Sequence, residues 1–271
     1  MLSKLVSPSW WKLNVRNRNL PKFWWRYLTT RGFPDDISSV EDLVRFCRRH
    51  KVMGFNLEAI RAYIFWQLHR QYECSSFVET GTLYGNTAAY TDKVFKTPVF
   101  TTELNTTHYV VSKANLAWAR GVRQYKASSP DFLEQVCYSN RIGNNPMFYL
   151  DAHWNEFMPL PDELSIIADR CEKAIVLIDD FMVPWDNRFL YDEYPDIRID
   201  TEIISNWLQP KRSDISVYMP NYDPGSDPSG KGIGFAAILM GQDKELPLDT
   251  FPFDLLTQSH DLKAITEQSP R

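Results

Sequence analysis

Cysteine is scarce in this 271-residue chain and never clustered: Cys47, Cys74, Cys137 and Cys171 form no CxxC and no Cys/His group. That spacing excludes a compact zinc site and a disulfide framework, and leaves free thiols in a reducing compartment as the expectation. Long apolar runs are missing too. Nothing approaches the ~18 residues needed to span a bilayer, and the first residues lack the uninterrupted apolar core of a signal peptide, so a cytoplasmic protein is expected. Internal repeats, long low-complexity tracts and the GxGxxG spacing of dinucleotide-binding turns are also absent. Acid is absent from residues 1–31, which hold Lys4, Lys12, Arg16, Arg18, Lys22, Arg26 and Arg31; with a net charge of -4 overall, the remainder carries about -11.

What is present is ordinary globular composition, 44% hydrophobic and 24% charged, outside the regime in which chains fail to collapse. The length suits one large α/β domain with an accessory segment. The expected division is a basic aromatic arm and helical cap over 1–72, followed by a main domain over 73–271. In the arm, Trp10, Trp11, Trp24 and Trp25 alternate with basic residues, and Pro21 and Pro34 interrupt any long helix. It can be read as a membrane-surface contact, a nucleic-acid contact, or a cap packed on the sheet or on a second subunit of a homodimer. Packing is the favoured reading. An acidic body and the lack of a continuous basic helix argue against nucleic acid.

Ser38 and Glu41 have capping-box spacing ahead of Val40, Leu43, Val44 and Cys47, which predicts a helix there. A second helix is predicted over 56–70, with Ile60, Tyr63, Ile64 and Leu68 on its buried stripe. From residue 76 short apolar runs alternate with helical segments. The candidate strands are Phe77–Glu79, Val99–Glu103, Val122–Tyr125, Met147–Asp151 and Ala174–Asp179, then an antiparallel pair at Ile215–Met219 and Gly234–Met240. Five parallel strands and a terminal hairpin describe a doubly wound, mostly parallel, seven-stranded α/β sheet. NYDPGSDPSGKG is expected to be a surface loop between the last two strands.

FVETGTLYGNTAAY reads as strand, Gly-rich turn and helix start. Gly81 and Gly85 allow a ligand to approach the backbone, and the helix beginning near Asn86 presents unpaired N–H groups. A purely structural turn has the same composition. The next strand ends on Glu103, 24 residues beyond Glu79, where an acid can accept hydrogen bonds from ribose hydroxyls. Glu79 stands ahead of the first glycine, where it would repel a pyrophosphate. Asp151 and the Asp179/Asp180 pair fall at the carboxyl ends of adjacent central strands. Three carboxylates converging there would be relieved by a hard divalent cation such as magnesium, although Asp179 and Asp180 can also simply cap the next turn.

The pattern Glu79-x-Gly81-x-x-x-Gly85-x-Thr87 resembles the class I S-adenosylmethionine methyltransferases, in the version found in the catechol O-methyltransferase branch. That resemblance implies a Rossmann-like methyltransferase fold binding S-adenosylmethionine through Glu79, Thr80, Gly81, Gly85, Asn86, Thr87, Glu103 and Asp151. Glu79 would face the cofactor's ammonium. Ser128 and Ser129 fall where the family contacts adenine, though with Pro130 they also suit a helix cap. LDAHW, the downstream LPD and the DD pair resemble the metal site of catechol O-methyltransferase and of the macrolide and aminocoumarin sugar O-methyltransferases. By that likeness Asp151, Asp179 and Asp180 are ligands of Mg2+, which would hold an acceptor hydroxyl and lower its pKa.

The chain departs from the catechol branch three residues after Asp151, where Trp154 replaces a lysine. His153 instead suits the sugar enzymes as a general base, with metal ligation or a structural role as its alternatives. The resemblance thus points to an O-methyltransferase acting on a saccharide or other small polyhydroxylated acceptor. Two other readings stay open: an oxygenation-associated enzyme of the cephalosporin hydroxylase type on the same fold, and a non-catalytic cofactor-binding subunit.

Overall fold

A computed structural model describes residues 37–152, 158–194 and 197–259. The aromatic arm and His153 lie outside the described residues.

The first helix, α1 (Val40–His50), is capped by Ser39, whose Oγ accepts the Asp42 N–H at 3.1 Å. The expected cap at Ser38 is therefore displaced by one residue; Ser38 Oγ donates instead to the Asp42 carboxylate at 2.8 Å. Helix α2 (Ala59–Gln71) starts three residues later than its apolar pattern predicts. The cause is local. Phe55, Asn56 and Leu57 all have positive φ, so the chain makes a left-handed turn before the helix can begin. The stripe Ile60, Tyr63, Ile64 and Leu68 is buried, but so are Arg61, Ala62, Phe65 and Trp66, and the helix is covered nearly all round.

The core is one sheet in the order β3-β2-β1-β4-β5-β7-β6-β8. Strands β1 (Ser76–Thr80), β2 (Val99–Thr102), β3 (Val122–Tyr125), β4 (Pro146–Leu150) and β5 (Ala174–Ile178) run parallel, while β6 (Ile215–Pro220), β7 (Ala236–Met240) and β8 (Leu256–Ser259) pair antiparallel. Order reverses between β1 and β4, the switch point at which open α/β sheets leave a crevice. The sheet has one strand more than the seven expected. β8 is an edge strand of sequence LTQS in which only Leu256 is fully buried, so it carries no apolar run to announce it.

Side chains alternate between two faces, as period-2 strands require. Met147 and Tyr149 of β4 join Phe77, Ile175 and Leu177 under α1, α2 and α3 (Asn86–Val94). Phe148 and Leu150 join Val78, Val176 and Ile178 under α5 (Ser129–Tyr138) and α6 (Leu160–Arg170). Helix α4 (Thr106–Asn115) connects β2 to β3. Coverage on both sides explains why β1, β4 and β5 are buried at every position. Phe55 stands at the centre of the first face, with ring centroids 5.0 Å from Phe65 and Tyr149 and 5.5 Å from Tyr90. Among the described residues no helix is long and apolar enough to cross a membrane.

Candidate active site

The carboxyl ends of β1, β2, β4 and β5 bring two groups of acids side by side. The first belongs to the Gly turn. Gly81 has φ +92°, and a Cβ there would collide with the Asp151 carbonyl, so glycine is required both by conformation and by the approach of β4. Gly85, φ +82°, is the N-cap of α3 and offers no capping side chain, which leaves the first N–H groups of that helix without a side-chain acceptor. Asn86 is exposed as the first helical residue. Thr87 points its hydroxyl elsewhere as well: Oγ1 accepts the Phe55 N–H at 3.2 Å, fastening the left-handed turn to α3.

Glu79 is buried beside this turn, where its Oε2 accepts the Thr101 hydroxyl at 2.6 Å. Burial pushes its carboxyl up to about 8; the Thr101 hydrogen bond opposes this, and the neighbouring Asp151 and Glu103 charges add to it. A cation placed against Glu79 would restore its ionised form. Glu103 accepts the Leu83 N–H at 2.8 Å on one oxygen and the Asn105 N–H at 2.7 Å on the other. Both oxygens are thereby oriented, and each keeps a lone pair for a further donor such as a ribose hydroxyl. Ser128 caps α5 and donates to Asp131 at 2.7 Å. Ser129 is buried, and its Oγ has no hydrogen-bond partner among the described residues.

The second group is Asp151, Asp179 and Asp180, each offering a carboxylate oxygen within 4.8 Å of the others. It is joined to the first through Thr80, whose carbonyl accepts the Asp151 N–H at 3.2 Å and whose hydroxyl lies 3.3 Å from the same nitrogen. An all-oxygen set of this size suits a hard divalent cation. Asp180 adopts φ +50°, a left-handed position that turns the chain directly after Asp179. Its carbonyl accepts the Asp192 N–H at 3.2 Å, which lays the aromatic segment 190–194 beside the cluster. The Tyr194 hydroxyl titrates well above the ordinary tyrosine range, because of burial first and then the charges of Asp192, Asp180 and Asp151.

Asp179 is held from the core side. Arg61, wholly buried, donates through Nη1 to its Oδ1, while the Tyr149 hydroxyl and Asn56 Nδ2 (3.3 Å) donate to Oδ2. Arg61 Nη2 lies 2.7 Å from Glu58 Oε2 and 2.7 Å from the Phe55 carbonyl. Burial alone would lower the Arg61 pKa, but Asp179, Tyr149 and Glu58 more than reverse this and keep the guanidinium charged. Sequence reasoning passed over Arg61, Glu58, Asn56 and Tyr149. The signal available was slight: a glutamate at the helix N-cap, three residues ahead of an arginine in an otherwise apolar stretch from Ala59 to Trp66.

A scan against protein-family models finds no match, and no curated protein matches the chain. Solved structures do. An O-methyltransferase from Bacillus cereus in complex with SAH superposes with a TM-score of 0.52 at 14% identity, over 81% of this chain and 97% of that one. The O-methyltransferase TomG from Streptomyces achromogenes, involved in tomaymycin synthesis and solved in complex with SAM, gives 0.51 at 16% identity, over 81% and 95%. At these identities the likeness establishes the fold, which is the Rossmann-like fold of the class I methyltransferases.

Proposed function

We propose that the protein is an S-adenosylmethionine-dependent O-methyltransferase whose acceptor hydroxyl is held at a divalent cation, and that the acceptor is a saccharide or another small polyhydroxylated molecule. The observation that carries this reading is the adjacency of two sites. Buried Glu79 and the oriented carboxylate of Glu103 flank the Gly turn, and the acid cluster begins one hydrogen bond away, at Asp151 against Thr80. Glu79 suits the ammonium of an amino-acid tail, since a cation there relieves a carboxyl that burial otherwise keeps protonated. Glu103 suits two ribose hydroxyls. Ser129, with its buried unpartnered hydroxyl, suits the adenine edge.

A cation such as Mg2+ between Asp151, Asp179 and Asp180 would supply Lewis-acid stabilisation of negative charge developing on the acceptor oxygen. Asp151, just past the end of β4, and Asp180, in the turn after β5, would hold it together with Asp179. Half-buried Tyr194 and the segment 190–194 run beside that side of the cluster, tied to it through the Asp192 N–H on the Asp180 carbonyl. His153, two residues after Asp151 in sequence, is assigned as the base that removes the hydroxyl proton, a role worth roughly 100- to 10,000-fold. Positioning of the two reactants accounts for most of the remaining acceleration.

The test is methyl transfer from labelled S-adenosylmethionine to a panel of sugars and phenols, with and without chelator. His153→Ala should keep cofactor affinity and lower turnover by about 100-fold or more. Unchanged turnover removes His153 from the mechanism, and full activity in excess chelator removes the cation.

A further inference from the structure

Arg61 is the least expected group near the acid cluster. It sits on α2 with no solvent exposure, and its guanidinium reaches Asp179, Glu58 and the Phe55 carbonyl at once. A buried ion pair is expensive to assemble, and it is repaid only when the geometry is good and the remaining hydrogen-bonding capacity is used. Here that capacity is largely used on Asp179. Oδ2 receives both the Tyr149 hydroxyl and Asn56 Nδ2, and Oδ1 receives Arg61 Nη1, so one lone pair of Oδ1 is left. The carboxylate can neither rotate nor withdraw. Arg61 is itself held, because Glu58 Oε1 accepts the Ile233 N–H at 2.7 Å and Asp227 accepts the Ile60 N–H at 2.8 Å, which pin the first turn of α2 to the loop between β6 and β7.

We propose that Arg61 is a positioning residue that fixes the Asp179 carboxylate so that the acid cluster is preset to receive a divalent cation. This rests on the cation reading of the cluster given above. The alternative is that Arg61 merely neutralises Asp179, standing in for a cation. The two roles differ in sign. If Arg61 only supplies positive charge, removing it should strengthen attraction for a cation. If it positions Asp179, removal should weaken binding despite the more negative site.

The measurement is Mn2+ binding to the full chain by electron paramagnetic resonance, with S-adenosylhomocysteine affinity read alongside to report on the Gly-turn half of the fold. Wild type should bind one Mn2+, and Asp180→Asn should lose it. Arg61→Met should weaken Mn2+ binding about 10- to 100-fold, the range seen when groups that orient metal ligands are removed, while S-adenosylhomocysteine affinity stays within about twofold. Arg61→Lys, which keeps the charge but not the planar fork, should restore part of the loss. Mn2+ binding by Arg61→Met as tight as wild type, or tighter, overturns the proposal. Should Arg61→Met fail to fold, Arg61→Lys decides: undiminished Mn2+ affinity in that variant overturns it, and a loss with intact S-adenosylhomocysteine binding supports it. If wild type binds no Mn2+, or Asp180→Asn leaves it unchanged, the cation reading itself falls and takes this role of Arg61 with it.

Discussion

Burial favours the protonated form of Glu79 at neutral pH, and on the reading proposed above the ammonium of a bound S-adenosyl ligand should displace that proton. An isolated glutamate titrates near 4.5, and burial raises this one to about 8. A raised carboxyl favours the folded state below its unfolded value, and that contribution is lost as pH climbs through 8. At neutral pH the ligand-free protein therefore holds Glu79 mostly protonated. An ammonium seated against it reverses the preference and releases the proton. Affinity for S-adenosylhomocysteine should accordingly rise with pH up to about 8 and then level off, with proton release detectable by calorimetry in buffers of different ionisation heat. Glu79→Gln should abolish the pH dependence and weaken binding by roughly 10- to 100-fold, the worth of a charged hydrogen bond. Binding without proton uptake or release at neutral pH would remove Glu79 from the ammonium. Residues of this turn were legible in sequence because their chemistry is local: Glu79, Gly81 and Gly85 fall within seven positions. Arg61 was not, because its partner Asp179 lies 118 positions away and only the fold brings the two together.

At the scale of elements, the parallel strands were legible to within one or two residues; coverage on both faces makes β4 and β5 nearly solid apolar runs, while β3, VRQY, is only partly buried at the edge. Periodicity misplaced the start of α2 because three consecutive left-handed residues at Phe55, Asn56 and Leu57 look unremarkable in sequence. It also treated α2 as amphipathic, although Arg61, Ala62, Phe65 and Trp66, off the predicted stripe, are buried as well. The turn is held by Phe55, buried among Phe65, Tyr149 and Tyr90, and by its N–H donated to Thr87. Such backbone costs about 1–3 kcal/mol per residue and persists only where packing imposes it. Phe55→Ala should therefore destabilise the protein by about 3–5 kcal/mol, the range for emptying an aromatic core position. Leu57→Gly, at φ +74° and with its side chain exposed, keeps the left-handed conformation without steric cost and should leave stability nearly unchanged. Urea denaturation of the two variants checks this; equal losses would mean that the turn is not fastened by the ring.

Across the whole molecule, the acid cluster sets stability against ligand binding. Asp151, Asp179 and Asp180 each bring a carboxylate oxygen within 4.8 Å of the others at the ends of two central strands, and buried Arg61 is paired with Asp179. Like charges this close repel, so without a bound cation the cluster works against the sheet that carries it. Converting Asp180 to asparagine removes one of the repelling charges with little change of volume. The cation-free variant should then melt higher than the cation-free wild type, by about 2–4 °C for each kcal/mol of repulsion relieved in a domain of this size. Added Mg2+ should reverse the ranking. It stabilises whatever binds it by mass action, about 2.7 kcal/mol at a hundredfold excess over Kd, and only the wild type retains the full donor set. Melting curves with chelator and with Mg2+ therefore should cross: the variant is more stable in chelator, the wild type in Mg2+. A variant that melts below the wild type under both conditions would show that Asp180 holds the turn after β5 rather than a cation, and the expense of gathering three carboxylates at the ends of β4 and β5 would then need another explanation.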